Sequence, residues 1–167
     1  QSPDSERWRN LVLHAAQLGA WDLDLIKGTA YRTLRHDQLF GYDTLQPTWD
    51  AEIFNRHILP EDQAYVRQHY ADAVATGRHD LDVRIMRTDG ALRWVKIKGQ
   101  VLYDEQKRPV RMVGVIGDIT DLKQAEADQR KLNRTLRLLS EANEALLRLQ
   151  NEGELLDTIC RLITEIG

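Results

Sequence analysis

The segment PVRMVGVIGDITDL, residues 109–122, decides the fold, because an extended apolar run changes into a helical pattern within a few residues. Apolar residues occupy both faces of the predicted strand: Val110, Met112, Gly114 and Ile116 on one face, and Val113, Val115 and Ile119 on the other. Beyond Gly117, the polar residues Asp118, Thr120 and Asp121 can cap a helix. The pattern therefore predicts a central strand, covered on both faces, that leads directly into a helix.

The composition is that of a globular protein. The 167 residues, 42% of them hydrophobic, suffice for one domain with an appendage or for two small domains. No apolar run approaches the roughly 20 residues of a membrane-spanning helix, and no signal-peptide pattern opens the chain. We therefore expect a cytoplasmic protein without membrane contact. A net charge of −3 and a pI near 6.0 argue against nucleic-acid binding, and the single cysteine, Cys160, excludes an internal disulfide.

Hydrophobic periodicity predicts an α+β domain preceded by an N-terminal helix within residues 1–18. The domain itself, residues 19–121, holds a hairpin, several short helices, one longer helix and a three-stranded meander. The predicted elements are strands at 21–25 and 29–33, short helices within 34–59, a helix at 60–75, and strands at 81–85, 92–103 and 109–117. Two strands, a helical crossover and a meander imply one antiparallel sheet of five strands, with flanking helices mostly on one face. The first helix or a partner chain could cover the other face.

A heptad repeat follows the domain. Ala125, Leu132, Leu139 and Leu146 lie seven residues apart, and Leu122, Gln129, Leu136 and Asn143 each precede one of them by three. This spacing predicts a coiled-coil helix over residues 122–150 and a parallel homodimer through Leu132, Leu136, Leu139 and Leu146, aided by Leu11 and Val12. The alternative is an amphipathic helix that packs on its own domain. The repeat ends at residues 151–153, so residues 151–167 are predicted to begin a further domain.

Five segments together resemble a PAS domain of the bacterial signalling type, including its C-terminal PAC portion. They are GAWDLDL (19–25), FGYD (40–43), LPED (59–62), RIMRTDGALRWV (84–95) and VGVIGDITDLK (113–123). The resemblance covers about residues 7–123, and residues 138–167 are similar to the first helix of a GAF domain. It implies a PAS fold that serves as a sensor or a dimerisation module, upstream of a histidine kinase or diguanylate cyclase. Catalysis is then expected outside this chain, and no catalytic residue is assigned within it.

The resemblance also implies a ligand pocket and a relay. By strand alternation and analogy with the family, the pocket walls are Trp21, Leu23, Phe54, Tyr70, Leu81, Val83 and Ile85. Asp118, Ile119 and Thr120 resemble the junction that ties the last strand to the output helix, with Arg93 or Trp94 as the partner of Asp118. The alternative role of Asp118 is to cap the helix alone.

The expected cofactor is unknown. Cys160 lies far from the pocket region, so we expect no covalent flavin adduct. His69 is the candidate haem ligand, but Tyr70 competes with it for the inner helix face, so haem is not expected. A zinc site is not expected either, because the histidines lack ligand spacing. Three hypotheses follow: a PAS module that senses a small organic ligand, a ligand-free dimerisation relay, and an enzyme of unrecognised type.

Overall fold

The computed structural model describes residues 3–166. Within this range, the side chains of residues 3–6, 8, 9, 145, 146, 149–152 and 154–166 lie outside the described part. Leu146 of the predicted dimer seam and Cys160 belong to that group, so the interpretations of these two side chains stay predictions. None of the helices within residues 3–166 combines the length and the apolar character that a membrane-spanning helix requires.

The element order confirms the predicted α+β fold. The elements are α1 (Pro3–Ala15), β1 (Gly19–Asp24), β2 (Thr29–Arg32), α2 (Leu34–Leu39), α3 (Ala51–His57), a 3₁₀ turn (Pro60–Asp62), α4 (Gln63–Thr76), β3 (Arg78–Met86), β4 (Leu92–Tyr103), β5 (Pro109–Asp118) and α5 (Thr120–Ile166). The strands form one antiparallel sheet in the order β2-β1-β5-β4-β3. The predicted central position of the 109–118 strand is therefore confirmed.

The hydrophobic core lies on one face of the sheet, which we call the inner face. Leu81, Val83 and Ile85 of β3 pack there with Phe40, which follows α2, and Val66 of α4. Alternation along each strand places these side chains on the same side. The helices between β2 and β3 cover this inner face.

The opposite face of the sheet carries charged ladders where β3 and β4 pair. The ammonium of Lys96 lies 2.6 Å from a carboxylate oxygen of Asp82 and 3.4 Å from one of Asp80. Val113 and Val115 of β5 are only half-buried on this face. The expectation that both faces of β5 are fully covered is therefore met only on the inner face within the described part of the chain.

Helix α5 lies in a second unit from Leu122 onward. The chain divides into residues 1–121 and residues 122–167. The helix continues through Gly153, although the heptad repeat ends there. The glycine lowers helix propensity by only about 1 kcal/mol, which does not stop a long helix. The assignment of residues 151–167 to a further domain stays a prediction.

Candidate functional site

A cavity of about 200 Å³ lies against the inner face of the sheet. Leu23 of β1, with Met112 and Ile116 of β5, forms part of its wall, and Phe54 of α3 and Tyr70 of α4 close it from the helical side. The lining is mostly apolar and aromatic. This combination of concave shape and apolar walls is typical of small-molecule sites.

The predicted pocket residues divide into two groups. Trp21, Leu23, Phe54 and Tyr70 line the cavity. Leu81, Val83 and Ile85 do not line this cavity, and their place in a ligand-binding wall stays a prediction.

The reason is the packing of β3, whose inner face is closed by other side chains. Ile85 is fully buried and pairs through its backbone with Ile58, while Phe40 and Val66 pack in the same apolar cluster. The cavity lies instead towards β1 and β5. The apolar alternation of Met112 and Ile116 on β5 was the signal that could have located it.

The indole of Trp21 owes its position to two glycines. Trp21, Gly114 and Gly99 face one another across β1, β5 and β4. A Cβ atom on Gly99 would lie only 2.7 Å from Cη2 of Trp21, and one on Gly114 only 2.5 Å from its Cζ2. The missing side chains therefore let the indole lie close to the sheet at the edge of the cavity.

A buried ionic network lies behind the cavity. The guanidinium of Arg32 donates from Nε and Nη2 to the two carboxylate oxygens of Asp37, each at 2.9 Å. The backbone N–H of Gln46 donates to the same carboxylate at 2.7 Å, and Nδ1 of His36 lies 2.8 Å from its Oδ1. Asp37 and the side chain of Arg32 are almost fully buried.

The charges in this network follow from its bonds. Burial raises the pKa of Asp37, but the hydrogen bonds from His36, Arg32 and Gln46 outweigh it and hold the pKa well below its usual range. Burial lowers the pKa of His36, more than the bond to Asp37 raises it. The structure therefore combines an ionised Asp37 with a neutral His36, and His36 also lines the cavity.

Two further polar atoms on lining residues have no hydrogen-bond partner. They are Nε1 of Trp21 and Nδ1 of His79, whose rings meet edge to face with centroids 6.3 Å apart. Burial also lowers the pKa of His79, so its ring is neutral near pH 7. Buried polar atoms without partners are rare in native proteins, and each calls for an explanation.

The junction between β5 and α5 is held by polar contacts. Oδ1 of Asp118 accepts bonds from the backbone N–H of Thr120 at 2.8 Å and from its hydroxyl at 2.6 Å. Oγ1 of Thr120 in turn accepts from the backbone N–H of Trp94 at 3.0 Å, and the N–H of Ile119 donates to the Trp94 carbonyl at 2.9 Å. Four of the five predicted relay residues therefore meet at this point.

Arg93 is the exception. Its buried Nε has no hydrogen-bond partner in the described part of the chain. The Asp118 side chain bonds Thr120, two residues ahead of it, and Thr120 in turn bonds the Trp94 backbone. A direct bond from Arg93 or Trp94 to the Asp118 carboxylate stays a prediction.

The haem candidate, His69, does not line the cavity. Its ring packs edge to face on Tyr65, with ring centroids 4.3 Å apart. In the residues that the structure describes, no three His, Cys, Asp or Glu side chains are grouped closely enough to hold a metal ion.

The curated relatives of the chain are much longer than the part that it matches. A blue-light-activated histidine kinase of Brucella anthropi is 27% identical over 126 residues, which cover 75% of this chain and 25% of that protein. The non-motile and phage-resistance protein of Caulobacter vibrioides is 27% identical over 157 residues, covering 92% of this chain and 18% of that protein. The chain thus spans about a quarter or less of the relatives it matches.

Solved structures and a family model agree on the fold. A sensory box histidine kinase/response regulator from Burkholderia thailandensis aligns with a TM-score of 0.67 and 28% identity, over 77% of this chain and 96% of that one. The N-terminal domain of a diguanylate cyclase with PAS/PAC sensor from Marinobacter aquaeolei has the same fold, with a TM-score of 0.56 and 21% identity over 62% and 95%. A family model described as the PAS fold matches residues 31–116, just over half of the chain. The chain therefore belongs to the PAS fold family.

Proposed function

We propose that this chain is the sensory module of a multidomain bacterial signal-transduction protein, a sensor histidine kinase or a diguanylate cyclase. A small molecule binds in the inner-face cavity, and the signal passes through a dimeric coiled coil formed by α5. The module itself is not an enzyme, and the output domain in the same protein carries the catalytic activity. The module acts in the cytoplasm.

One observation carries this proposal: strand β5 contacts both the cavity and the output helix. Met112 and Ile116 line the cavity, and two residues beyond Ile116 begins the bonded junction of Asp118 and Thr120. Because a β-strand transmits displacement along its length, a ligand that shifts Ile116 also shifts the base of α5. Hydrogen bonds to the Trp94 backbone hold Ile119 and Thr120 on β4. The helix tilts about this point.

Exposed leucines on α5 support the dimeric part of the proposal. Leu132, Leu136 and Leu139 expose 53%, 56% and 62% of their surface. Leucines at coiled-coil spacing are buried when a second chain packs against them. Leu11 and Val12 of α1, also half exposed, are the proposed accessory contact.

The alternative is a ligand-free dimerisation and relay module. It keeps the coiled coil and the junction but leaves the cavity without a regulatory ligand. The exposed leucines fit this alternative equally well, so the cavity distinguishes the two functions.

Native mass spectrometry of the purified chain tests the proposal. We expect a bound small molecule in the parent protein and its loss in Ala30→Leu, because Ala30 lines the cavity and the larger side chain occupies it. Tyr31→Leu is the matched control, since Tyr31 is the next residue and is 87% exposed. No bound species in the parent, together with a full-length protein whose output is the same in Ala30→Leu, would favour the ligand-free relay.

A further inference from the structure

The imidazole of His36 is one polar group in the wall of the cavity, and its bond to Asp37 determines which ring nitrogen carries the proton. Asp37 is an ionised carboxylate that already accepts from Arg32 and Gln46, so it has no proton to donate. The proton in the 2.8 Å contact must therefore lie on Nδ1 of His36. A neutral imidazole with its proton on Nδ1 presents a lone pair at Nε2, and His36 is one of the residues that line the cavity.

The charges around the cavity select against anions. Among the described residues that line it there is no lysine or arginine, whereas Asp24 and Asp50 are both present. The Asp24 carboxylate accepts bonds from the N–H groups of Ile26 and Lys27, which lower its pKa and keep it ionised. An anionic ligand would therefore enter an apolar site that offers it acidic neighbours and no counter-charge.

The guanidinium of Arg32, which lies beside the lining residue Trp49, is already neutralised by Asp37. Arg32 uses its guanidinium on Asp37 and on the carbonyl oxygens of Ala30 and Gln46. It lies 5.3 Å from the ring centroid of Trp49, which itself lines the cavity. The positive charge is thus bound within the network and is not offered to a ligand.

The volume of the cavity and the unpartnered indole N–H of Trp21 further limit the ligand. Drug-sized ligands occupy roughly 300–1,000 Å³, so a cavity of about 200 Å³ holds a compound on the scale of one ring. The indole N–H of Trp21 can only donate and needs an acceptor. A hydroxyl group is the small substituent that donates to one partner and accepts from another.

We propose that the cavity binds a small neutral ring compound that carries a hydroxyl group, with the O–H donating to Nε2 of His36. This inference rests on the proposed function, because it names the ligand class of the same site. Aromatic walls from Trp21, Trp49 and Phe54 pack against the ring. We expect Nε1 of Trp21 and Nδ1 of His79, which have no hydrogen-bond partner among the described residues, to bond the hydroxyl oxygen or a second polar substituent.

Three one-ring probes test the class: phenol, anisole and benzoate. Anisole keeps the ring and the acceptor oxygen but has no O–H, and benzoate replaces the hydroxyl with a charge. By titration calorimetry, we expect the full chain to bind phenol about tenfold more tightly than anisole or benzoate. A tenfold difference in affinity corresponds to the loss of one well-made hydrogen bond. Ala30→Leu should abolish phenol binding, while Tyr31→Leu should leave it unchanged.

A spectroscopic readout places the contact on His36. In ¹⁵N NMR, with the His36 signals identified through His36→Asn, we expect a neutral ring protonated at Nδ1, and an Nε2 resonance that phenol moves and anisole does not. Equal binding of phenol and anisole, preferred binding of benzoate, no binding of any probe, an unmoved Nε2 resonance, or unchanged phenol binding in Ala30→Leu would each overturn the ligand class. None of these outcomes contradicts the proposed sensory function. That function is tested separately, by native mass spectrometry of the bound species and by the output of the full-length protein.

Discussion

The side-chain oxygen of Thr120 accepts a hydrogen bond from the backbone N–H of Trp94 at 3.0 Å, so the first residue of α5 is tied to strand β4. The O–H of the same hydroxyl group donates to Oδ1 of Asp118 at the end of β5. One hydroxyl therefore joins two strands of the sheet to the start of the long helix.

Asp118→Ala should uncouple stimulus from output while the fold persists. The change removes the contacts to Thr120 without opening a core cavity, so the free energy of unfolding should fall by about 1 kcal/mol. Thr120→Val, which keeps the side-chain shape but removes the bond to Trp94, should have the same effect on signalling. The measurement is the output of the full-length protein with and without stimulus. A parent-like ratio in both variants would leave Asp118 with a capping role only.

Leu139→Asp should convert the proposed dimer into a monomer, because a charge at a coiled-coil seam position cannot be buried without a partner. Leu138→Asp provides the matched control. Leu138 is 57% exposed, close to the 62% of Leu139, but it lies outside the heptad seam. Multi-angle light scattering of both variants decides the matter. If Leu139→Asp stays as dimeric as Leu138→Asp, the seam is assigned wrongly.

Asp37→Ala should destabilise the domain by about 3–5 kcal/mol, since it leaves the buried guanidinium of Arg32 without its counter-charge. The double variant Arg32→Met with Asp37→Leu should recover much of that loss, because no charge then stays buried. Chemical denaturation of the three proteins gives the comparison. If the double variant is less stable than Asp37→Ala alone, the hydrogen bonds of the network stabilise the folded domain in addition to neutralising the buried charge.

Acidification should destabilise the domain through His36. Its pKa in the folded protein lies below the ordinary histidine value of about 6.5, because burial disfavours the imidazolium. The unfolded chain therefore takes up the proton first as pH falls, so the stability is complete above about pH 6.5 and declines below it, by at most about 1.4 kcal/mol per pH unit. His79 contributes in the same direction, because burial lowers its pKa as well.

Thermal denaturation between about pH 7.5 and pH 5 measures this slope. His36→Asn, which keeps a donor near Asp37 but does not titrate, should flatten the slope. Identical slopes in the parent and in His36→Asn would show that His36 takes up its proton equally in both states.

The sequence by itself determined the sheet, the central position of residues 109–118 and the long helix that follows. Period-2 alternation and heptad spacing are local consequences of burial, so they can be read along the chain. The predicted junction residues 118, 119, 120 and 94 lie in one set of hydrogen bonds, in which Thr120 bonds both the Asp118 carboxylate and the Trp94 backbone.

Only the tertiary structure decided which buried residues face the cavity. Leu81 and Met112 look alike in sequence, since both are apolar inner-face positions of a strand, yet Leu81 packs in the closed core and Met112 lines the cavity. The same holds for Gly99 and Gly114, which leave room for Trp21 only because strand register places them opposite it. Whether an inner-face residue meets a helix or an open space depends on how segments distant in sequence pack above the sheet, and no local pattern records that packing.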